Sequence, residues 1–336
     1  MRYLIRRLAF YVVALWASVT INFALPRLIP GNPVDAYIAR LQGQVALSPA
    51  TIQALEDQFG GSDAHSPILV QYFHYLSNIL HGNLGTAFSQ GALPVTIVLA
   101  HALPWTLGLV GVSTIISFML GTLLGIVAAW NRGSALDSIA VPVTTFLSSI
   151  PYFWLALGLI YIFATNLAWL PGGYGFDPYN IDFMDLQGFS WEYVGSVLQH
   201  AILPALTIVI SSFSGWLLGI RNSMLTTISE DYVLMARAKG LSNQRVMLMY
   251  AARNAILPSV TGFSLALGYV VAGSLLTEMV FSYPGIGFVL YKAISYLDYN
   301  LIEGIFLCIA VTILLATLLS EIAYLFLDPR VRHERG

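Results

Sequence analysis

The sequence predicts an all-α polytopic membrane protein of six transmembrane helices, with an extracytoplasmic insertion after the first. Three observations carry that prediction. The chain is 57% hydrophobic and only 10% charged, with a mean hydropathy of +0.74, the composition of an integral membrane protein. Six apolar runs are long enough for a hydrocarbon core of ~30 Å, which takes about 20 helical residues. Lys and Arg gather on alternate connections between the runs, as the positive-inside rule describes.

The runs lie at about 8–29, 102–130, 139–166, 201–220, 259–281 and 301–327. The first follows a basic start, MRYLIRR, yet it is too long for a signal peptide and no small-residue cleavage site follows. A retained first helix is expected. A cytoplasmic N-terminus places Arg2, Arg6, Arg7, Arg132, Arg221, Arg237, Lys239, Arg245, Arg253, Arg330, Arg332 and Arg335 inside. Only Arg27, Arg40 and Lys292 then fall outside, so both termini are expected to be cytoplasmic. Most acidic residues land outside, among them Asp35, Glu56, Asp57, Asp63, Asp177, Asp182, Asp185, Glu192, Asp298 and Glu303.

Residues 31–101 are polar enough to lie outside the bilayer. Ser48-Pro49 predicts a helix start, Gly60-Gly61-Ser62 its end near Phe59, and an amphipathic piece follows from Pro67 to Leu80. Residues 167–200 read as an ordered outer loop with Trp169, Tyr174, Phe176, Tyr179, Phe183, Phe189, Trp191 and Tyr193. These rings suit stacking on sugars, packing on a binding protein, or an interfacial belt. HALPWTLGL at 101–109 and HAILPALTI at 200–208 both put proline where a helix is expected to begin, where its missing N–H costs nothing.

The stretch DYVLMARAKGLSNQRVMLMYAARNAILP at 231–258 is a basic, helix-prone segment between two apolar spans. Ser229 is expected to cap a helix starting at Glu230 and Asp231, acidic residues suited to a helix N-terminus. Gly240 is expected to end it in a left-handed conformation. Ser242 then caps a second helix running to about Asn254, before Pro258. Small residues Ala236, Ala238 and Gly240 allow another surface to approach closely. Topology requires basic charge but not paired, capped helices, so the segment reads as a docking lever for a cytoplasmic partner.

Catalytic chemistry is sparse. Lys239 and Lys292 are the only lysines and neither closes a phosphate-binding GxxxxGK[ST] loop. Gly285-Ile286-Gly287 reads as a tight turn. His65, His74, His81, His101, His200 and His333 lack metal-ligand spacing, and Cys308 is the only cysteine. Glu278 and Glu321 lie near the ends of spans rather than at mid-depth, where an ion-driven transporter places its carboxylates. Ser214 lies in an apolar span but has only His200, at the outer edge, as a base, which disfavours an intramembrane serine protease.

The segment 231–258 resembles the EAA loop of permeases in the dipeptide/oligopeptide/nickel family of bacterial ATP-binding-cassette importers. ARAKGL at 236–241 and RNAILP at 253–258 carry the likeness. Further similar phrases are PGNP at 30–33, HGNLGTAF at 81–88, LPWTL at 103–107, LPALTI at 203–208, EMVFSYPGIG at 278–287 and LDPRVR at 327–332. Leu234, Met235 and Ala236 stand where the generic motif has Glu-Ala-Ala, so no role passes to the generic acidic residue.

The resemblance implies a type I importer permease fold and a non-enzymatic subunit of the bacterial inner membrane. It implies a first helix in 1–30, an insertion in 31–101, a core in 102–327 with its coupling loop at 223–258, and a tail at 328–336. The implied partners are a second permease, two cytoplasmic ATPases and an extracytoplasmic solute-binding protein. No cofactor is expected in this chain, because ATP and Mg belong to the ATPases. Asp231, Ala236, Arg237, Ala238, Lys239, Gly240, Leu241 and Pro258 are the implied coupling residues. The implied cargo is peptide, with oligosaccharide as the alternative. Nickel is disfavoured because no Met/His cluster lines a span. An ion-driven secondary transporter is the rival of a different class.

Overall fold

The computed structural model describes residues 2–28, 38–39, 42–43, 48–55, 66–179, 190–272 and 275–327. The readings made for Pro30–Pro33, Asp35, Arg40, Glu56, Asp57, Phe59–Ser62, Asp63, His65, Asp182, Phe183, Asp185, Phe189 and 328–336 lie outside the described residues, as do the side chains of Arg2, Arg6, Arg7 and Glu321.

Helices dominate. Helix α1 is Arg2–Arg27, α2 is Pro49–Leu55 and α3 is Ile68–Leu80. A hairpin of two-residue strands follows, β1 Thr86–Ala87 antiparallel to β2 Leu93–Pro94, with Thr86 opposite Pro94. Next come α4 Val95–Trp130, α5 Leu136–Ser149, α6 Tyr152–Asn166 and α7 Trp191–Ile228. Then follow α8 Asp231–Ala238, α9 Asn243–Ala255 and α10 Leu257–Val271. Helices α11 Leu275–Val280, α12 Ile286–Ser295 and α13 Tyr299–Leu327 complete the order.

By length and composition α4, α7 and the Tyr299–Leu318 part of α13 each cross a bilayer alone, and the bent pairs α5–α6 and α9–α10 raise the number to five among the described residues. Helix α1 adds a shorter apolar stretch, Ala9–Leu25. The protein is a multi-pass membrane protein.

Several boundaries differ from expectation for physical reasons. The third run is two helices meeting at 98°. Ile150 before Pro151 is extended, φ −74° and ψ 126°, because proline's Cδ excludes its predecessor from the helical region. Helix α4 starts at Val95 and α7 at Trp191, so Pro104 and Pro204 lie inside helices rather than at their starts. Membrane helices accept internal proline because neighbouring segments satisfy the freed carbonyl. A wide π turn, Leu107–Gly111, begins three residues after Pro104. Gly285-Ile286-Gly287 is not a tight turn: Gly285 is the extended N-cap of α12 and Gly287 lies in its first turn.

The chain forms two compact units, one of residues through Pro104 plus Gly285–Leu314, the other of Trp105–Pro284 plus the remainder. In the first, Ser48 caps α2 by accepting the Thr51 N–H at 3.1 Å. Asp298 Oδ2 accepts from the Ser89 N–H at 2.9 Å and the Ser89 hydroxyl at 2.6 Å. Burial holds that carboxyl above the usual carboxylate range despite these donors. Asn300 donates to the Thr86 carbonyl at 3.1 Å, tying the start of α13 to the hairpin. Asn22 donates to the Glu303 carbonyl at 2.6 Å, and Arg27 donates to Glu303 Oε1 at 2.7 Å while covering the Phe23 ring at 3.6 Å.

In the second unit, α4 and α7 form the main helix pair. Gly121 and Gly125 permit it: a Cβ at 121 would lie 2.6 Å from Trp216 Cβ, and one at 125 would lie 2.6 Å from the Leu217 carbonyl oxygen. Small residues four apart are how membrane helices approach closely without a hydrophobic drive. Ser212 donates to Ser117 at 2.8 Å across the same seam. Phe118, Trp216 and Phe263 interlock beside it, with Phe118 and Phe263 stacked at 4.2 Å.

Candidate functional site

The segment at 231–258 holds two short helices, α8 and α9, on an apolar platform. Val233 and Ala236 of α8, three residues apart, turn to one side. They pack with Ile126 and Ala129 of α4, Ile220 and Met224 of α7, and Val246, Ala251, Ala252 and Ala255 of α9. The segment is therefore seated on the ends of the two longest helices.

The turn between the helices matches the expectation for Gly240. Its φ is +72°, and its N–H donates to the Arg237 carbonyl at 2.9 Å. A Cβ there would meet nothing within 4 Å, so glycine is required by the backbone and not by crowding within the chain. Ser242 occupies the N-cap position of α9 with extended backbone, but its side chain makes no capping bond. Ser229 does not cap α8. Glu230 is the N-cap, and the Ser229 hydroxyl donates backward to the Thr226 carbonyl at 2.8 Å, closing α7 instead. Serine at a helix–helix junction serves either end, and here α7 continues eight residues past the expected 220.

The side chains divide into two faces. Asp231, Arg237, Ala238, Lys239, Gly240 and Pro258 are exposed and Leu241 is half-buried. Ala236 is 2% exposed, inside the chain's own core, so it is not part of an outward docking face. The structure adds residues that sequence reading passed over. Leu234 and Met235 of α8 and Leu248 and Met249 of α9 are 50%, 65%, 50% and 62% exposed. Their signal was present: they are apolar residues off the Val233–Ala236 stripe in a segment otherwise polar on that side.

Charge pairs brace the platform. The Arg237 guanidinium lies 4.8 Å from the centroid of the Trp130 ring, within cation–π range. Beyond Trp130, Asp137 accepts the Gly133 N–H at 3.0 Å and forms a two-pronged pair with Arg221, at 2.7 and 3.2 Å. This fork holds the 131–135 turn against α7 and was not read from sequence.

The other candidates resolve differently. Glu278 is fully buried and accepts the Thr106 hydroxyl at 2.9 Å, so it makes a helix contact. Ser214 and His200 share α7 fourteen residues apart, about 21 Å at 1.5 Å per residue, and His200 Nδ1 lies 2.8 Å from the Ser196 carbonyl. They cannot form a nucleophile–base pair. In the outer loop, Phe176 stacks with Trp105 at 6.2 Å and meets Tyr193 at 5.5 Å, forming loop core. Burial pushes Tyr283, in edge contact with Trp105, up to about 12. Trp169, Tyr174, Tyr179 and Trp191 remain exposed.

Residues 121–333 match the model of a family described as binding-protein-dependent transport system inner membrane component. The chain is 35% identical, over 94% of its length and 93% of the relative, to the probable D,D-dipeptide transport system permease protein of Escherichia coli K12. It is 34% identical, over 99% of both chains, to the di/tripeptide transport system permease protein of Pseudomonas aeruginosa. To the oligopeptide transport system permease protein of Bacillus subtilis it is 30% identical over 98% of this chain and 99% of the relative.

Proposed function

We propose, from the premise that this chain belongs to the family of binding-protein-dependent transport system inner membrane components, that it is a permease subunit of an ATP-driven peptide importer. The observation that carries peptide as cargo is full-length similarity to permeases named for D,D-dipeptides, di/tripeptides and oligopeptides. None of these names supports the oligosaccharide alternative.

In this reading the permease pairs with a second permease and receives peptide from a solute-binding protein on the outer side. Two ATPase subunits bind ATP and Mg below it. Both termini and the α8–α9 segment face the cytoplasm. The exposed strip of Leu234, Met235, Ala238, Lys239 and Gly240, flanked by Asp231, Arg237, Leu241 and Pro258, rests on an ATPase. Closure of the ATPases pushes α8, and the packed cluster beneath moves the ends of α4 and α7. The permease needs no chemistry of its own, because the work is conformational.

The experiment is reconstitution of the full complex in vesicles, with labelled dipeptide and loaded binding protein. Uptake that requires ATP supports the reading. Uptake by this chain alone under an ion gradient, without ATP, refutes it and selects the secondary-transporter class.

A further inference from the structure

The 98° break between α5 and α6 lies at membrane depth, and α7 serves as the ruler. Asp137, at the start of α5, pairs with Arg221 of α7 at 2.7 Å. Ala156 of α6 shares a buried cluster with Leu203 of α7. Leu203 and Arg221 are about 27 Å apart along α7 at 1.5 Å per residue, against a hydrocarbon core of ~30 Å. Ser149, Ile150 and Pro151 come between these two contacts. Backbone groups are left open there. Among the described residues, the carbonyls of Ser148, Ser149 and Ile150 receive no backbone N–H, and the N–H groups of Tyr152 and Phe153 reach no carbonyl. No side chain caps the start of α6.

A hydroxyl row runs up to the same point. Thr144, Thr145, Ser148 and Ser149 stand at i, i+1, i+4 and i+5, on one side of α5. Each turns its hydrogen back onto a carbonyl three or four residues earlier, at 2.7–2.9 Å, which leaves the oxygens as acceptors. Thr145, Ser149 and Pro151 are exposed, so the chain does not bury the break itself. Lipid cannot cover it, because irregular backbone at membrane depth is tolerated only inside protein or beside water.

We infer that the break lines the water-filled path of the transporter and hydrogen-bonds the main chain of the passing peptide, an inference that rests on the function proposed above. The open groups select a main chain. A peptide alternates N–H donors with C=O acceptors and begins with an ammonium. The carbonyls of 148–150 and the row of hydroxyl oxygens meet its donors, and the N–H groups of Tyr152 and Phe153 meet its acceptors. Residues 140–158 contain no Asp, Glu, Lys, Arg or His. Peptides of any sequence therefore meet the same partners, and no charged side chain of the cargo is preferred.

The test uses the complete transporter in vesicles, with Cys308→Ala removing the one native thiol. Single-cysteine variants are Ser149→Cys, Thr145→Cys on the same side of α5, and Val13→Cys, a position 60% exposed within the apolar Ala9–Leu25 stretch of α1. Uptake of labelled dipeptide with ATP and loaded binding protein is measured first. No uptake by the Cys308→Ala parent and by wild type refutes the proposed function, and this inference falls with it. With uptake in place, only the inference is at stake. A charged methanethiosulfonate is expected to modify both α5 positions at least about tenfold faster than Val13→Cys, because a thiol in apolar surroundings stays protonated and only the thiolate reacts. Saturating dipeptide with binding protein is expected to protect the α5 positions and to leave Val13→Cys unchanged. Equal rates at all three positions, or labelling that dipeptide does not slow, overturn the inference. So does cross-linking of Ser149→Cys to the second permease in most resting complexes, which makes the cover a protein contact.

Discussion

Paired substitutions on α8 separate its buried face from its exposed one. Ala236 is 2% exposed among Ile126, Ile220, Met224 and Val233, whereas the adjacent Met235 is 65% exposed. Ala236→Glu puts a carboxylate into an apolar cluster with no cation to pair with it. The effective cost of such burial is several kcal/mol per ion, a large share of the ~5–15 kcal/mol of a typical domain. Desolvation raises the introduced carboxyl's pKa in the folded state above its unfolded value of about 4.3. Below that value both states are protonated and the ionic cost is absent. The cost grows as pH rises through the window between the two values, so the variant is less stable at pH 7 than at pH 4–5 relative to wild type. Met235→Glu keeps its charge in water and changes the chain's own stability by less than about 0.5 kcal/mol. Thermal unfolding of the purified chain in detergent, with co-purification of the ATPases, gives the readout. Ala236→Glu is expected to unfold early in a pH-dependent manner, and Met235→Glu to fold normally but lose ATPase. An Ala236→Glu chain as stable as wild type at pH 7, yet unable to bind ATPase, refutes the division of faces and returns Ala236 to the docking surface.

Further outcomes follow from the same geometry. At Gly240, φ +72° with open space around it predicts a graded cost of chain stability, least for Gly240→Asn, about 1 kcal/mol for Gly240→Ala and more for Gly240→Val, measured by thermal unfolding. Gly125→Ala forces a methyl toward the Leu217 carbonyl oxygen at 2.6 Å and is expected to cost about 1–3 kcal/mol by overpacking, whereas Gly215→Ala on α7, with nothing within 4 Å, is expected to cost little. Cysteine at Asn243 is expected to react with impermeant reagent only from the cytoplasmic side, and cysteine at Tyr179, 85% exposed, only from outside; the reverse pattern inverts the proposed orientation.

The membrane class, the approximate spans and the helix–glycine–helix segment were legible because long apolar runs and Gly240 are local signals. Helix starts at Val95 and Trp191 were not, because the prolines of HALP and HAILP read as boundaries in water but are tolerated inside membrane helices. The break at Ile150-Pro151 was legible in principle from the restriction that proline places on its predecessor. Helix α12 was missed because Ile286–Ser295 is apolar but too short to span. Within 231–258, charge and capping drew attention to Arg237, Lys239 and Gly240. The split between buried Ala236 and exposed Met235 depends on which face meets α4 and α7, a tertiary fact. The Asp137–Arg221 fork joins residues 84 apart in sequence, and nothing local marks such a pair.

In the proposed reading, the exposed strip of α8 and its Gly240 turn convert ATP hydrolysis into peptide movement. The direct measurement is peptide delivered per ATP hydrolysed by the reconstituted complex, wild type against Gly240→Val. The variant is expected either to lose its ATPases or to hydrolyse ATP with little uptake, while the chain remains inserted. Full ATPase association together with an unchanged ratio of peptide to ATP contradicts it.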